Sequence, residues 1–148
     1  MLKKYQPRGN KMFKIYAALI FRGTAIADEN KLILVKYSDN KEMHCLFRTE
    51  VPMGMTTPYV FGRMVKMLDL PESHLRRENT VEITEADKWY ASALIVKVPS
   101  LRNFMSSINP GAGCQYVIVD QHDIGTPPHS KVLVEKLDYE LICEAHRK

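Results

Sequence analysis

The stretch Leu32-Ile33-Leu34-Val35 presents apolar side chains in four consecutive positions. Successive side chains of an extended chain point to opposite faces, so such a strand is apolar on both. It has to be covered on both sides, as a central strand is. Residues 13–21, FKIYAALIF, are apolar with few interruptions and read as a second buried strand. A sheet built on strands like these needs a layer above and a layer below. In a single domain, amphipathic helices supply those layers.

A chain of 148 residues holds one substantial core. Its 45% hydrophobic and 26% charged residues are the balance of a globular protein. No apolar run approaches the roughly 20 residues that span a bilayer, and no membrane association is expected. The opening MLKKYQPRGNKMFK is basic, free of acids, and without the apolar stretch of a secretory signal. Pro7, Gly9 and Asn10 disfavour the amphipathic helix of a transit peptide. Residues 1–12 are therefore read as a flexible basic tail, and 13–148 as one domain. Cys45, Cys114 and Cys143 are widely spaced, odd in number, and form no CxxC or Cys/His pattern. That spacing argues against structural zinc and for reduced thiols in the cytoplasm. The net charge of +4 suits an anionic partner such as a nucleotide or a nucleic acid.

Gly23 should end the first strand, and Asp28-Glu29-Asn30 should turn the chain into the second. Ser38-Asp39-Asn40 turns it again, and residues 43–51 form a third strand. Thr57 is the expected N-cap of a first helix, with Pro58 at its first position. Val60, Met64, Met67 and Leu68 fall on one face of that helix, and Leu70-Pro71 stops it. The polar stretch 72–79 leads to a strand around 81–83, and residues 89–98 form another. Ser100 caps a short helix that puts Leu101, Phe104, Met105 and Ile108 on one side. Pro110-Gly111-Ala112-Gly113 is a loop, and residues 115–119 are a strand. Thr126 should cap a last helix that opens with Pro127 and carries Leu133, Leu137 and Leu141 on one stripe. The fold class is α/β in the α+β sense, a sandwich around a mixed sheet.

The segment MTTPYVFGRMVKML, residues 55–68, contains no Asp or Glu. It follows FRTEVPMG, residues 47–54. This order resembles the Nudix hydrolase superfamily over residues 13–145. AALIFRGTAIADENKLILVKY is similar to the opening strand, turn and "KxLLVxR" strand of that superfamily. FRTEVPMG is similar to its "W-x-LPGG" approach to the catalytic loop. WYASALIVKVP looks like its later central strand, and YVIVD followed by Pro127-Pro128 like its closing strand and terminal helix. The resemblance implies an α/β/α sandwich. It also shows what is missing. The Nudix box, GX5EX7REUXEEXGU, places glutamates on one helix face to hold Mg²⁺ against a diphosphate, because a hard divalent cation needs several oxygen ligands. With Arg63 on the box arginine, those glutamates become Met64, Met67 and Leu68, and the upstream one becomes Met55. Only Arg63 and Val65 fit the pattern, and the loop from Gly54 is shorter. Thioethers and alkyl groups do not ligate Mg²⁺, so no catalytic residue, metal ligand or cofactor is expected from the box.

The leading expectation is a non-catalytic Nudix-like domain that binds a nucleotide, a nucleotide-derived signal or RNA. Its candidate ligand contacts are Arg48, Glu50, Arg63, Trp89 and Tyr90. Arg48 could fork onto a phosphate or make an ordinary ion pair with a neighbouring strand. Trp89 and Tyr90 could stack on a base, although a lone tryptophan is more often part of a core. A second expectation is a small hydrolase or phosphoesterase using His44, His122 and Asp123, with Asp120 and His129 close by in sequence. The bland counterpart is a polar loop with His129 in the first turn of the last helix. A third expectation is an interaction or assembly module, a homodimer among its forms.

Overall fold

The computed structural model describes residues 13–39, 43–109, 113–126 and 130–148. The basic tail, Asn40 to Glu42, the loop residues Pro110 to Ala112, and the Pro127-Pro128-His129 stretch lie outside them.

The first buried run forms β1 (Lys14–Gly23), and the second forms β2 (Lys31–Tyr37). A short 3-10 turn at Ile26–Asp28 links them, closed by Asn30 in the left-handed region at φ 62°. Asparagine tolerates that conformation better than most residues. Gly23 ends β1 for a reason the sequence did not disclose. A Cβ there would lie 2.3 Å from Asp28 Oδ2. That same oxygen accepts the Leu101 N–H at 3.0 Å, at the start of the later short helix.

The expected third strand is two strands. β3 (Met43–Cys45) pairs antiparallel with β2, and β4 (Phe47–Glu50) pairs antiparallel with β1. β1 and β2 share a register only at Arg22↔Leu32 and then diverge. The chain therefore steps from the edge of one to the edge of the other at Leu46, which is buried.

α1 (Thr57–Met67) follows. Its N-cap is Thr56 rather than Thr57: the Thr56 side-chain oxygen accepts the Tyr59 N–H at 3.3 Å, and Pro58 falls in the first turn. The buried face is Val60, Phe61, Met64 and Val65. Met67, expected inside, is 70% exposed. At about 100° per residue it sits roughly a quarter-turn from the middle of that face. The helix ends at Leu68, and Asp69 takes a left-handed φ of 55° before Leu70-Pro71.

Two short 3-10 turns lead into β5 (Thr80–Glu85), which forms a hairpin with β6 (Trp89–Val98). β6 runs parallel to β1 in unbroken register from Lys14↔Trp89 to Gly23↔Val98. α2 (Leu101–Ser107) is capped by Ser100, whose side chain accepts the Asn103 N–H. β7 (Cys114–Asp120) then pairs antiparallel with β2 along its whole length.

The last helix starts nine residues later than the Thr126 cap implies. α3 spans Lys136–Arg147 with Glu135 at its N-cap. Before it lie two short strands, β8 (Ile124–Gly125) and β9 (Val132–Val134). Leu133 thus belongs to a strand, β9, which pairs parallel with both β3 and β8. The stripe 133/137/141 fits a helix in spacing. Two β-branched neighbours and the open edge of β3 decide for a strand.

The sheet order is β5-β6-β1-β2-β3-β9-β8, with β4 on β1 and β7 on β2. Alternate residues of β1 feed two cores. Ala17, Leu19 and Phe21 pack with Val60, Phe61, Met64 and Val65 of α1 and Leu101 of α2. Ala18 and Ile20 pack with Leu137, Leu141 and Ile142 of α3. The molecule is an α+β protein: one mixed, curled sheet with helices on both faces. No helix among the described residues is long and apolar enough to cross a membrane.

Candidate functional site

A cleft of about 690 Å³ lies between β4 and α1. Its β4 wall runs from Phe47 to Glu50, and Pro52 and Met55 of the connecting loop close one end. The α1 wall is Tyr59, Arg63, Met64, Lys66 and Met67. Tyr59, Arg63, Lys66 and Met67 follow from the helix period: they occupy the exposed arc, with Met67 beside the buried face and the others further round from it. They bring two cations, one phenol ring and one thioether, and no carboxylate. Among the described residues, the only acid on the cleft is Glu50, exposed at the end of β4.

Three of the five expected contacts, Arg48, Glu50 and Arg63, therefore border one cleft. Arg48 does so by its place on the strand, while its charge is engaged elsewhere. Phe47 turns towards α1 and α2, with its ring 6.2 Å from that of Phe21. The next side chain points the other way. The Arg48 guanidinium lies 5.3 Å over the Tyr16 ring and 2.6 Å from Glu135 Oε1. It is also 3.3 Å from Asp138 Oδ1. The ordinary ion pair foreseen for Arg48 is present, but it reaches a helix rather than a neighbouring strand.

Tyr90 borders a second cavity of about 760 Å³ on the far side of the Met55 loop, with Thr56, Arg76, Arg77 and Ser92. Met55 lines both cavities. Trp89 borders neither. It follows the opposite alternation from Tyr90 and packs against the α3-side core.

Of the histidine set, the structure brings His122 onto Asp120. His122 Nδ1 is 2.9 Å from Asp120 Oδ1, and the His122 N–H donates to the same oxygen. These two bonds, the backbone one first, hold the Asp120 carboxyl below its usual range. His44 sits half-buried on β3, where burial and then the Lys36 charge lower its pKa against a Leu133 backbone bond. His122 and Asp123 belong to a 3-10 turn after β7. Among the described residues no group of three or more His, Cys, Asp and Glu side chains is placed to hold a metal. His129, expected in the first turn of the last helix, lies outside the described residues.

The polar group that sequence reasoning missed is Asp138, which is fully buried. Its oxygens lack a well-aligned hydrogen bond. Burial, followed by the adjacent Glu135 charge, pushes its pKa up to about 7 against the pull of Arg48 and the Leu46 amide. Cys45 nearby is raised to about 11, burial first and the Asp138 charge second. A signal for Asp138 exists in the sequence: it shares a helical face with Leu141, Ile142 and Ala145. A helix started at Thr126 hides it.

The chain matches no family model and no curated protein.

Proposed function

We propose that this domain is a Nudix-like sandwich that binds a phosphate-bearing nucleotide, a nucleotide-derived signal or a short stretch of RNA between β4 and α1, without cleaving it. The observation that carries this reading is the outer face of α1. Where a magnesium-dependent hydrolase would present acids, the cleft presents Arg63, Lys66, Tyr59 and Met67. Cations answer phosphate charge, and an aromatic face stacks on a base whatever its identity. Support for the family comes from the element order and from helices packed on both faces of the sheet. The setting in this reading is the cytoplasm, in keeping with free thiols at Cys45, Cys114 and Cys143.

Isothermal titration of the full chain against ADP, ADP-ribose, a dinucleotide and a short single-stranded RNA tests it. At least one of these should bind, with affinity falling at least about tenfold in Arg63→Ala, the loss of one charge-assisted contact. Magnesium-dependent cleavage of any of them by purified protein overturns the reading. So does silence across the panel from a folded sample.

A further inference from the structure

The far end of the sheet, on its α3 face, holds a second charged cavity that the proposed function does not use. Arg22 and Lys97 are register partners on the parallel strands β1 and β6. The residues before them in the same alternation, Ile20 and Ile95, both face α3, so the two cations stand side by side on that face. Like charges facing each other across neighbouring strands destabilise a sheet. Neither has a carboxylate within ion-pairing distance among the described residues. Arg22 donates to Gln121 Oε1 at 2.8 Å, a neutral partner, and its Nε is buried with no partner. Burial lowers the Arg22 pKa, and no neighbouring acid offsets it.

These two residues border a cavity of about 500 Å³, a size typical of small-molecule sites. Lys31 of β2 and His146 at the end of α3 stand on its wall as well. Three acids also touch it. Asp28 Oδ2 is held by the Leu101 N–H at the start of α2. Glu78 lies 3.5 Å from Arg76, and Glu29 is exposed. None of the three stands within ion-pairing distance of Arg22 or Lys97.

We propose that this cavity is an anion site for a small molecule carrying a phosphate or diphosphate group, whose oxygens bridge the Arg22 guanidinium and the Lys97 ammonium. The fork of Arg22 suits two phosphate oxygens, and Lys97 supplies a compact second charge. The anion removes the repulsion that the sheet otherwise carries. The site lies on the opposite face of the sheet from the α1 cleft and stands independently of what that cleft binds.

The probe is inorganic pyrophosphate, titrated calorimetrically into the full chain at low and at physiological salt. Lys97 is exposed, so Lys97→Gln should fold as the parent does. Its affinity for pyrophosphate should drop at least about tenfold, while its melting temperature without ligand rises because the like-charged neighbour is gone. A residue with only a structural role would not move the two readouts in opposite directions. Arg22→Gln should lose binding as well. Arg63→Ala, in the other cleft, should bind pyrophosphate like the parent. The proposal is overturned if millimolar pyrophosphate gives no heat, or if Lys97→Gln binds it undiminished. It is equally overturned if Arg63→Ala alone abolishes binding, which would put the anion in the α1 cleft.

Discussion

At the scale of a residue, Asp138 gives the fold a pH-dependent term whose direction can be worked out. It is fully buried at the third position of α3, where Arg48 answers two carboxylates at once. The contact with Glu135 is the shorter, 2.6 Å against 3.3 Å, so the buried acid receives the lesser share. In the unfolded chain an aspartate ionises near pH 3.9. In the folded chain Asp138 holds its proton up to about 7. Between those values the native state binds more protons than the unfolded one. Its contribution to stability is therefore full below about pH 4 and is lost as the pH rises towards 7. Asp138→Asn should remove this slope. Relative to the parent, the variant should gain on the order of 2–4 kcal/mol between pH 4.5 and pH 8, since each tenfold difference in proton affinity between the two states is worth about 1.4 kcal/mol. Urea unfolding of both proteins at several pH values measures the difference directly. Exposed carboxylates such as Asp120 and Glu85 cancel in that comparison. A constant difference would mean that Asp138 is charged throughout and that Arg48 compensates it fully.

At the scale of an element, α1 shows how much of a helix can be read from its letters. The absence of acids, the early Pro58 and the stop at Leu70-Pro71 all follow from sequence. The phase of its buried face does not, because four methionines between 53 and 67 blur the contrast between inside and outside. Met64 is buried, whereas Met53 and Met67 are exposed. Phe61 and Val65 set the true phase, through contact with the side chains of β1 and β6. A weak local signal also hides β8 and β9. Val132-Leu133-Val134 is too short to show a period of its own, and only the free edge of β3 makes it a strand. Trp89 and Tyr90 adjoin in sequence and look like a pair; strand alternation separates them. Within α1, Gly62 is a helix-interior glycine with no atom within 4 Å of where a Cβ would stand. Gly62→Ala should therefore stabilise the protein by about 0.5–1 kcal/mol through backbone entropy alone. The check is a higher urea midpoint at unchanged m-value. A destabilised variant would show that α1 needs the close approach or the flexibility that glycine allows.

At the scale of the whole molecule, the parallel pair β1 and β6 is the wall between two unlike halves. On the α1 side it carries Leu19, Phe21, Leu94 and Val96; on the α3 side it carries Ala18, Ala91 and Ala93 with Ile20 and Ile95. Small residues on the second face share a core with Leu137, Leu141 and Ile142 of α3, the helix that carries Asp138. Larger ones on the first face, with Phe21 4.9 Å from Phe104 and 6.2 Å from Phe47 by ring centroids, tie α2 and β4 to the centre. The two layers share the sheet backbone but few side chains. A change in one should therefore add to a change in the other. Ala93→Leu adds bulk to a fully buried position under α3 and should cost about 1–3 kcal/mol. Combined with Gly62→Ala in α1, the double variant should equal the sum of the two singles within about 0.5 kcal/mol, as for sites without shared partners. A coupling well above that, measured by urea unfolding of all four proteins, would mean that displacing α3 bends the sheet enough for α1 to feel it. The α1 cleft and the Arg22–Lys97 cavity could then no longer be treated as independent sites, since each would report on the occupancy of the other through the sheet that lies between them.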